Sequence, residues 1–567
     1  MEDIEQAVVE TDGQATGPSL RIIPLGGLGE IGLNMTVFEY GDSIIVVDCG
    51  LMFPEEHMLG IDIVIPDISY LRRNSDKVKA FFITHGHEDH TGALPFILRE
   101  INAPIYATTL TLGLIEEKLR EFDLVGSTVF ETVRPREVVS VGPFSVEFIR
   151  VSHSIADACA LAITTPRGIV VHTGDFKIDQ TPVDGDVLDY ARFAEYGEKG
   201  VMLLMSDSTN VEREGYTLSE REIGKNLEEI FRDCGGRIIV AAFSSNIHRL
   251  QQVINAAGRF GRKIVLNGRS MVANVRIART LGYMNIPDGM LVDLKDIGMY
   301  RHDEVVLLTT GSQGEPMSAL TRMAMDDHKQ ISIEKGDTVI LSSKFIPGHE
   351  KAISTMMNHL YRRGADVIYE KVSEIHVSGH ASQEELKIMM NLVKPEWFIP
   401  VHGEYRHLVL HSRLARKVGI PEENIVIAED GDVVEFTDKG AAKRGKVEHG
   451  RVFVDGKGVG DVGAMVIKDR SHLSQDGLVV VVMAINSATG ETVWGPEIMT
   501  KGLVFEEESA HLLAEARSAV VQALEGVSAE ARTEQLEAEE EMRRALRRFF
   551  NKKLNRRPVI LPVIIEI

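Results

Sequence analysis

Within FFITHGHEDHTGALP, Phe81 to Pro95, the side chains of His85, His87, Asp89 and His90 fall in six consecutive positions. All four can ligate a metal. They follow an apolar run that reads as a buried strand and precede a glycine turn. Neutral imidazole and carboxylate suit the same borderline divalent cations. In an HxHxDH run, alternate residues of an extended loop point to one cation. The Asp and the following His then turn toward a second. A lone histidine reads as an ordinary core or capping group, but four such residues packed together argue against that reading. His153 in RVSHSIAD, Asp175 in VHTGDFKID and His402 in PVHGEY each follow an apolar strand and precede a turn. Alone, each reads as a capped polar group; beside HxHxDH, each is suited to complete a metal site.

The elements that must position these residues are short. SIIVVDCG, AFFITHG, APIYATT, FSVEFIRVSHS and GIVVHTGDF read as strands ending in polar loops, and several carry a His or Asp at that end. Loops at strand ends are where chemistry is usually placed. From about Tyr216 helix and strand alternate, from SEREIGKNLEEIFRDCGGRIIVAAF to GADVIYEK. This βα pattern predicts a parallel sheet covered by helices. Strand-end histidines then return in EIHVSGHAS and WFIPVHGEYRH, so the first domain resumes after an insertion. The expected division is a mobile tail over 1–19, a first domain in two parts over 20–215 and 375–440, and an inserted domain over 216–374. A linker with small strands follows over 441–470, then a small α/β domain over 471–567. The last domain reads strand, long amphipathic helix, basic helix, strand.

The 567 residues are 44% hydrophobic and 26% charged, as in soluble globular proteins. No apolar run is long enough for a membrane span, and the acidic N-terminus lacks the features of a secretory signal. Cys49, Cys159 and Cys234 lie far apart with no CxxC, so a reducing cytoplasm is the expected setting. A net charge of −22 argues against a general polyanion binder. Charges are screened beyond about 8 Å, so a local basic groove stays compatible with it.

HxHxDH, a later His and then TGD follow the order of the metallo-β-lactamase superfamily. The inserted βα domain with HVSGHAS and HGEY resembles the β-CASP nucleases within it. PLGGLGEIGLNM, DCGLMFP, SDSTN, GSQGEP, HVSGHASQEEL and HGEYRH together resemble the ribonuclease J family over nearly the whole chain, about 20 to 567. The resemblance implies an αββα sandwich with an inserted parallel-sheet domain. It implies two zinc-type cations, with Mn2+ or Mg2+ able to support activity. One would be held by His85, His87 and His153, the other by Asp89, His90 and His402, with Asp175 bridging. Asp48 would orient ligands, as such outer carboxylates do. His380 would stabilise phosphate or protonate the leaving 3′-oxygen, and Asp207 would orient His380.

For RNA, TTGSQGEP places Gly311, Ser312 and Gly314 after a strand, where backbone N–H groups and a hydroxyl can cradle a phosphate. The resemblance puts this loop and HVSG near a 5′-monophosphate pocket, pointing to Ser312, Gln313, His376 and Ser378. FSSNIHR adds Phe243, Ser245, Asn246, His248 and Arg249, an aromatic for base stacking and an Arg for phosphate. LSSKFIPGHE departs from the family pattern at Lys344, Phe345 and His349, which bears on the RNA surface of the inserted domain. The basic run Arg543 to Pro558 suits RNA, a solvated helix face or a subunit contact. The expected partners are single-stranded RNA, a second copy in a homodimer or homotetramer through the C-terminal domain, and proteins of an RNA-decay complex. The expected function is a 5′-to-3′ exonuclease and endonuclease favouring 5′-monophosphate ends. The rivals are a DNA-directed β-CASP nuclease, a small-molecule metallo-hydrolase and a non-catalytic scaffold.

Overall fold

The computed structural model describes residues 18–567 apart from 56, 316, 344–348, 371–374, 457, 488, 490, 505–509 and 529–533. The expected tail therefore lies almost wholly outside the described residues, as do Lys344 and Phe345. Two compact units divide the chain, one of 1–53 and 64–452 and one of 54–63 and 453–567.

The first unit stacks two sheets. One has eight strands in the order Gly440–Lys446, Asp432–Thr437, Leu20–Gly26, Met35–Tyr40, Ser43–Val47, Val78–Phe82, Ile105–Ala107 and Phe130–Thr132. The other has six, in the order Trp397–Val401, Leu203–Asp207, Gly168–His172, Cys159–Thr165, Phe144–Arg150 and Val138–Val141. Phe38, Phe82, Phe148, Leu161, Val401 and Phe436 fill the layer between them. Helices such as Tyr190–Lys199 and Gln383–Val393 cover the outer face of the six-stranded sheet through a second core with Ile149, Val171 and Phe398. The central strands are buried on both faces, which is why they read as unbroken apolar runs.

Parallel register decides where the loops emerge. Val47 pairs with Phe82 in one sheet. In the other, His172 pairs with Met205 and Asp207 with Val401. Parallel neighbours end at a common edge, so the segments beginning at Asp48, Ile83, Thr173, Ser208 and His402 leave their sheets there together.

Between Leu203–Asp207 and Trp397–Val401 the chain builds a six-stranded, all-parallel sheet. Its order is Leu291–Val292, Lys263–Asn267, Val305–Thr309, Ile238–Ala241, Thr338–Leu341, Asp366–Ile368. Ala241 pairs with both Thr309 and Leu341. FSSNIHR, TTGSQGEP and Ser342–Ser343 thus issue side by side at the carboxyl edge, where ligands of open α/β sheets usually bind.

Two segments differ from the sequence reading. Gly440–Lys446 pairs antiparallel with Asp432–Thr437 and extends the first sheet, so the expected linker begins with a sheet strand. In the second unit the sheet has three strands, Thr492–Lys501, Leu478–Ile485 and Val559–Glu566, packed by helices Ala510–Glu525 and Gln535–Leu554. Thr492–Lys501 escaped the sequence reading because Gly495-Pro496 interrupts its apolar alternation, and Pro normally marks an edge strand or none. The basic run lies largely on helix Gln535–Leu554, which buries Ala538, Met542, Leu546 and Phe550 at four-residue spacing. Its Arg543, Arg544 and Lys553 pair with Glu540, Glu541 and Glu515, so part of its charge is neutralised on its own surface. Among the described residues no helix is long and apolar enough to cross a membrane, and all three cysteines are free thiols.

Candidate metal centre and active site

The HxHxDH loop is half extended and half helical. His87 is extended and directly precedes a single helical turn, Glu88–Thr91, which carries Asp89 and His90. Asp48 braces this turn from the neighbouring strand end. Its carboxylate accepts hydrogen bonds from Thr84 N at 2.8 Å and from Thr84 Oγ1. It also pairs with His90 Nδ1 at 2.8 Å. Asp48 itself takes a positive φ of 61°, a conformation uncommon outside glycine.

Two groups of side chains converge at this edge. His85, His87, His153 and Asp175 form one; Asp89, His90, His402 and the same Asp175 form the other. In the first, His87 Nδ1 lies 3.1 Å from both His85 Nε2 and His153 Nε2. In the second, His402 Nε2 lies 3.3 Å from Asp89 Oδ2. Asp175 Oδ2 stands 3.7 Å from His85 Nε2 and from His153 Nε2. It stands 3.3 Å from His90 Nε2 and 3.4 Å from His402 Nε2. Ligands about 2.1 Å from one tetrahedral ion lie roughly 3.4 Å from one another, so both groups have the spacing of a coordination shell. Asp175 Oδ1 is buried with no hydrogen-bonding partner. Buried polar atoms left this way are costly unless something else satisfies them, and a cation does. The residues fit divalent metal.

The other ring nitrogens are engaged in a way that fixes orientation. Nδ1 of His153 donates to Gly379 O at 2.8 Å. Nδ1 of His85 and of His402 meet the hydroxyls of Thr84 and Thr209 at 3.1 and 3.0 Å. With His90 on Asp48, four of the five histidines are held through Nδ1 and turn Nε2 inward. Such partners set the tautomer and ring angle of a ligand histidine. Thr84, Thr209, Gly379 and Asn34, whose amide donates to Asp89 O at 3.1 Å, were not singled out from sequence. Thr84 directly precedes HxHxDH and Thr209 lies inside SDSTN, but hydroxyls and carbonyls are too common to signal themselves. His172 was also missed; its Nδ1 accepts from Gly174 N at 3.1 Å and so pins the turn that presents Asp175.

The electrostatics differ between the two groups. Burial holds His85, His87 and His153 toward the neutral form, with His87 pulled down to about 4. Burial opposes charge on His90 and His402 too, but Asp175 and the other nearby carboxylates outweigh it and hold both well above the usual histidine range. Burial likewise works against charge on Asp175, yet His402 and His90 hold it well below the usual carboxylate range.

His380 stands beside this centre. Its Nδ1 pairs with Asp207 at 2.8 Å and lies 3.9 Å from Asp175 Oδ2. Its own carbonyl accepts from Thr217 Oγ1 at 2.9 Å. Burial disfavours its charged form, but Asp207 and Asp175 prevail and raise its pKa. Nε2 is left as the nitrogen able to give a proton.

The expected RNA contacts fare unevenly. Phe243 is 38% exposed at the carboxyl edge of the parallel sheet, and Ser245 is partly buried beside it. Asn246 is instead the cap of helix Ile247–Arg259, accepting from Arg249 N at 3.0 Å. His248 faces Asp184, with Nε2 3.0 Å from the carboxylate. Arg249 reaches no surface: it is 0% exposed, and its guanidinium is 2.9 Å from Glu220. The expectation that it meets phosphate is corrected, because its donors are taken up inside the fold. Ser312 and Gln313 are buried, with Gln313 Nε2 donating to Ser343 Oγ at 3.0 Å. Gly311 and Gly314 take φ of 104° and 73°, which favours glycine there. Ser378 Oγ accepts from His380 N at 3.2 Å, and His376 is partly buried.

Four family models match the chain: the metallo-beta-lactamase superfamily over 28–217, the ribonuclease J beta-CASP domain over 235–360, the Zn-dependent metallo-hydrolase RNA specificity domain over 364–427, and the ribonuclease J C-terminal domain over 465–567. Ribonuclease J2 of Bacillus subtilis is 44% identical, with 97% of this chain and 99% of that one covered. Ribonuclease J of Thermus thermophilus is 44% identical, with 98% and 97% covered. A crystal structure of a protein of unknown function from Enterococcus faecalis superposes with a TM-score of 0.54 at 18% identity, covering 74% of this chain and 100% of that one. That likeness speaks to the fold alone.

Proposed function

The chain belongs to the ribonuclease J family, and from that premise we propose that this metal-dependent ribonuclease cleaves single-stranded RNA both 5′-to-3′ from the end and internally, favouring 5′-monophosphate ends. The observation that carries the reading is one carboxylate, Asp175, shared by two ligand groups and flanked by the His380–Asp207 pair.

His85, His87 and His153 would hold one divalent cation, Asp89, His90 and His402 the other, and Asp175 would bridge them; zinc is the reading the imidazole-rich sets support, with Mn2+ or Mg2+ as substitutes. Bound there, two cations supply charge neutralisation at the phosphoryl group and acidify water near neutral pH. Asp48 keeps His90 in one tautomer, and Thr84, Thr209 and Gly379 do the same for His85, His402 and His153. Asp207 holds His380 with its proton on the outward nitrogen. His380 donates that proton to the departing 3′-oxygen, or a hydrogen bond to a phosphoryl oxygen as charge builds on it.

Substrate selection is assigned to the carboxyl edge of the parallel sheet. Phe243 offers a stacking face for a base, beside Ser245. Ser312, Gln313 and Gly314, with His376 and Ser378 of the returning segment, would form the pocket for a terminal phosphate. The division of the chain is read as a metallo-β-lactamase domain over 20–215 and 375–440, a β-CASP domain over 216–374 and a C-terminal domain over 471–567. The last is assigned to self-association as a dimer or tetramer, with RNA-decay proteins as further partners, in the cytoplasm.

The test uses one single-stranded RNA with a 5′-monophosphate and its 5′-triphosphate twin, each with and without chelator. Mononucleotide release from the monophosphate form, abolished by chelator, is the expected result. Equal internal cleavage of both would remove the terminal-phosphate pocket from the reading. Inertness of metal-loaded protein toward both would overturn the reading as a whole.

A further inference from the structure

Arg249 has the largest side chain among the fully buried residues described, and its charge is directed to three separate segments. Nη2 and Nε donate to Glu220 Oε2 at 2.9 and 3.3 Å. Nη1 donates to Ile375 O at 2.6 Å and to Ser342 Oγ at 2.5 Å. Ser342 Oγ in turn donates to the same Ile375 carbonyl at 2.7 Å. Glu220 opens helix Glu220–Asp233, where the chain enters the parallel-sheet domain. Ser342 directly follows strand Thr338–Leu341, at the edge from which the RNA-facing loops emerge. Ile375 lies on the segment that returns to the two-sheet domain, five residues before His380. One guanidinium thus clasps the entry, the sheet edge and the return.

The return segment is also held from the other side. Glu385, fully buried, accepts from Ile178 N, Thr217 N and Ser382 N at 2.7, 2.8 and 2.8 Å. His380 therefore sits between an anchor in the metal-binding domain and a clasp in the inserted one. A buried ion pair is weak support for stability, since a well-packed apolar pair often does as well. The fork of Arg249 supplies direction, because it fixes a backbone carbonyl in the catalytic segment relative to the sheet.

We infer that Arg249, acting with Ser342 and Glu220, is a positioning residue for His380, setting where the imidazole stands according to how the inserted domain is seated. This rests on the reading of His380 as the group that gives a proton or hydrogen bond to the substrate. Arg249, Glu220 and Ser342 are all buried, so the clasp offers RNA no surface and its loss should act on turnover and not on binding.

The test is steady-state cleavage of a 5′-monophosphate RNA by Ser342→Ala, by Arg249→Lys and by the double variant Arg249→Met/Glu220→Gln, which avoids an unpaired buried charge. Bound metal per chain and thermal midpoint are read alongside. The expected result is a kcat lowered about a hundredfold in the double variant and less in Ser342→Ala, with KM and metal content unchanged. Arg249→Lys, which keeps the charge without the fork, should recover only part of the rate. Placed in a His380→Ala background, the double variant should lower the residual rate no further, because the two changes remove one interaction. A raised KM with unchanged kcat would show that the clasp supports the terminal-phosphate pocket through Ile375 and Ser342, not His380, and would overturn the inference. So would additive losses in the His380→Ala background, which would mark a merely structural role. Should the double variant fail to fold, Ser342→Ala and its combination with His380→Ala decide in the same way. If His380→Ala alone keeps full activity, the functional reading of His380 fails first; if it loses activity while the clasp variants do not, only the clasp fails.

Discussion

Two stretches of this chain have nearly the same vocabulary, and the fold uses them in opposite ways. THGHEDH and FSSNIHR both follow a buried strand and both crowd His with other polar residues. In the first, the outer ring nitrogens are tied down and the inner ones converge, so donor capacity is left over at one point. In the second, Asn246 caps a helix, His248 meets Asp184, and Arg249 is enclosed by Glu220, Ser342 and Ile375. The lesson is that residue type marks a candidate, while convergence of ligand atoms on one point marks a site. Glu220 Oε1 beside Arg249 is also without a partner, so it is the convergence of two ligand sets on the orphaned Asp175 carboxylate that separates the first stretch from the second.

The comparison breaks first at Asp175. Asp175→Ala removes the one carboxylate common to both ligand groups and should abolish RNA cleavage and bound metal together; metal analysis beside a cleavage assay checks it, and a variant retaining both would erase the distinction drawn here. His380→Ala should keep the metal but lose about 10²- to 10⁴-fold in kcat. Asp48→Asn tests the outer support. It leaves His90 without its carboxylate and should cost about 10- to 100-fold in metal affinity or activity, measured by chelator competition. Metal removal should also lower the thermal midpoint, since the cations bind the folded chain and not the unfolded one.

The smallest effects sharpen the second stretch. Phe243→Ala should weaken RNA binding by about 1–3 kcal/mol if the exposed ring stacks on a base. His248→Ala, losing a pair whose carboxylate partner is partly exposed, should change stability by less than about 1 kcal/mol and leave RNA binding intact. Fluorescence anisotropy with a labelled RNA separates the two, and equal effects would show that FSSNIHR is read as a unit.

The alternation of helix and strand, the parallel inserted sheet and the strand-end histidines were legible because each is a local pattern of apolar spacing and turn residues. Thr492–Lys501 was not, since a Gly-Pro pair sits inside it and its strand character depends on pairing with Leu478–Ile485. Gly440–Lys446 reads as the start of a linker with small strands because it is polar, and it is an edge strand of the first sheet because Asp432–Thr437 offers it a partner.

By itself the sequence determined which residues could bind metal, since HxHxDH sets four ligand side chains in six consecutive positions. It also determined that an α/β insertion interrupts the first domain, since hydrophobic period is a local property. Only tertiary structure decided the rest. Strand register brought Asp175 and His402 to the same edge, because parallel neighbours end together, and His153 joins them because two antiparallel pairings make Phe144–Arg150 run the same way as Gly168–His172. Packing decided that Arg249 faces inward, because a guanidinium with Glu220, Ser342 and Ile375 around it has nothing left to offer a phosphate.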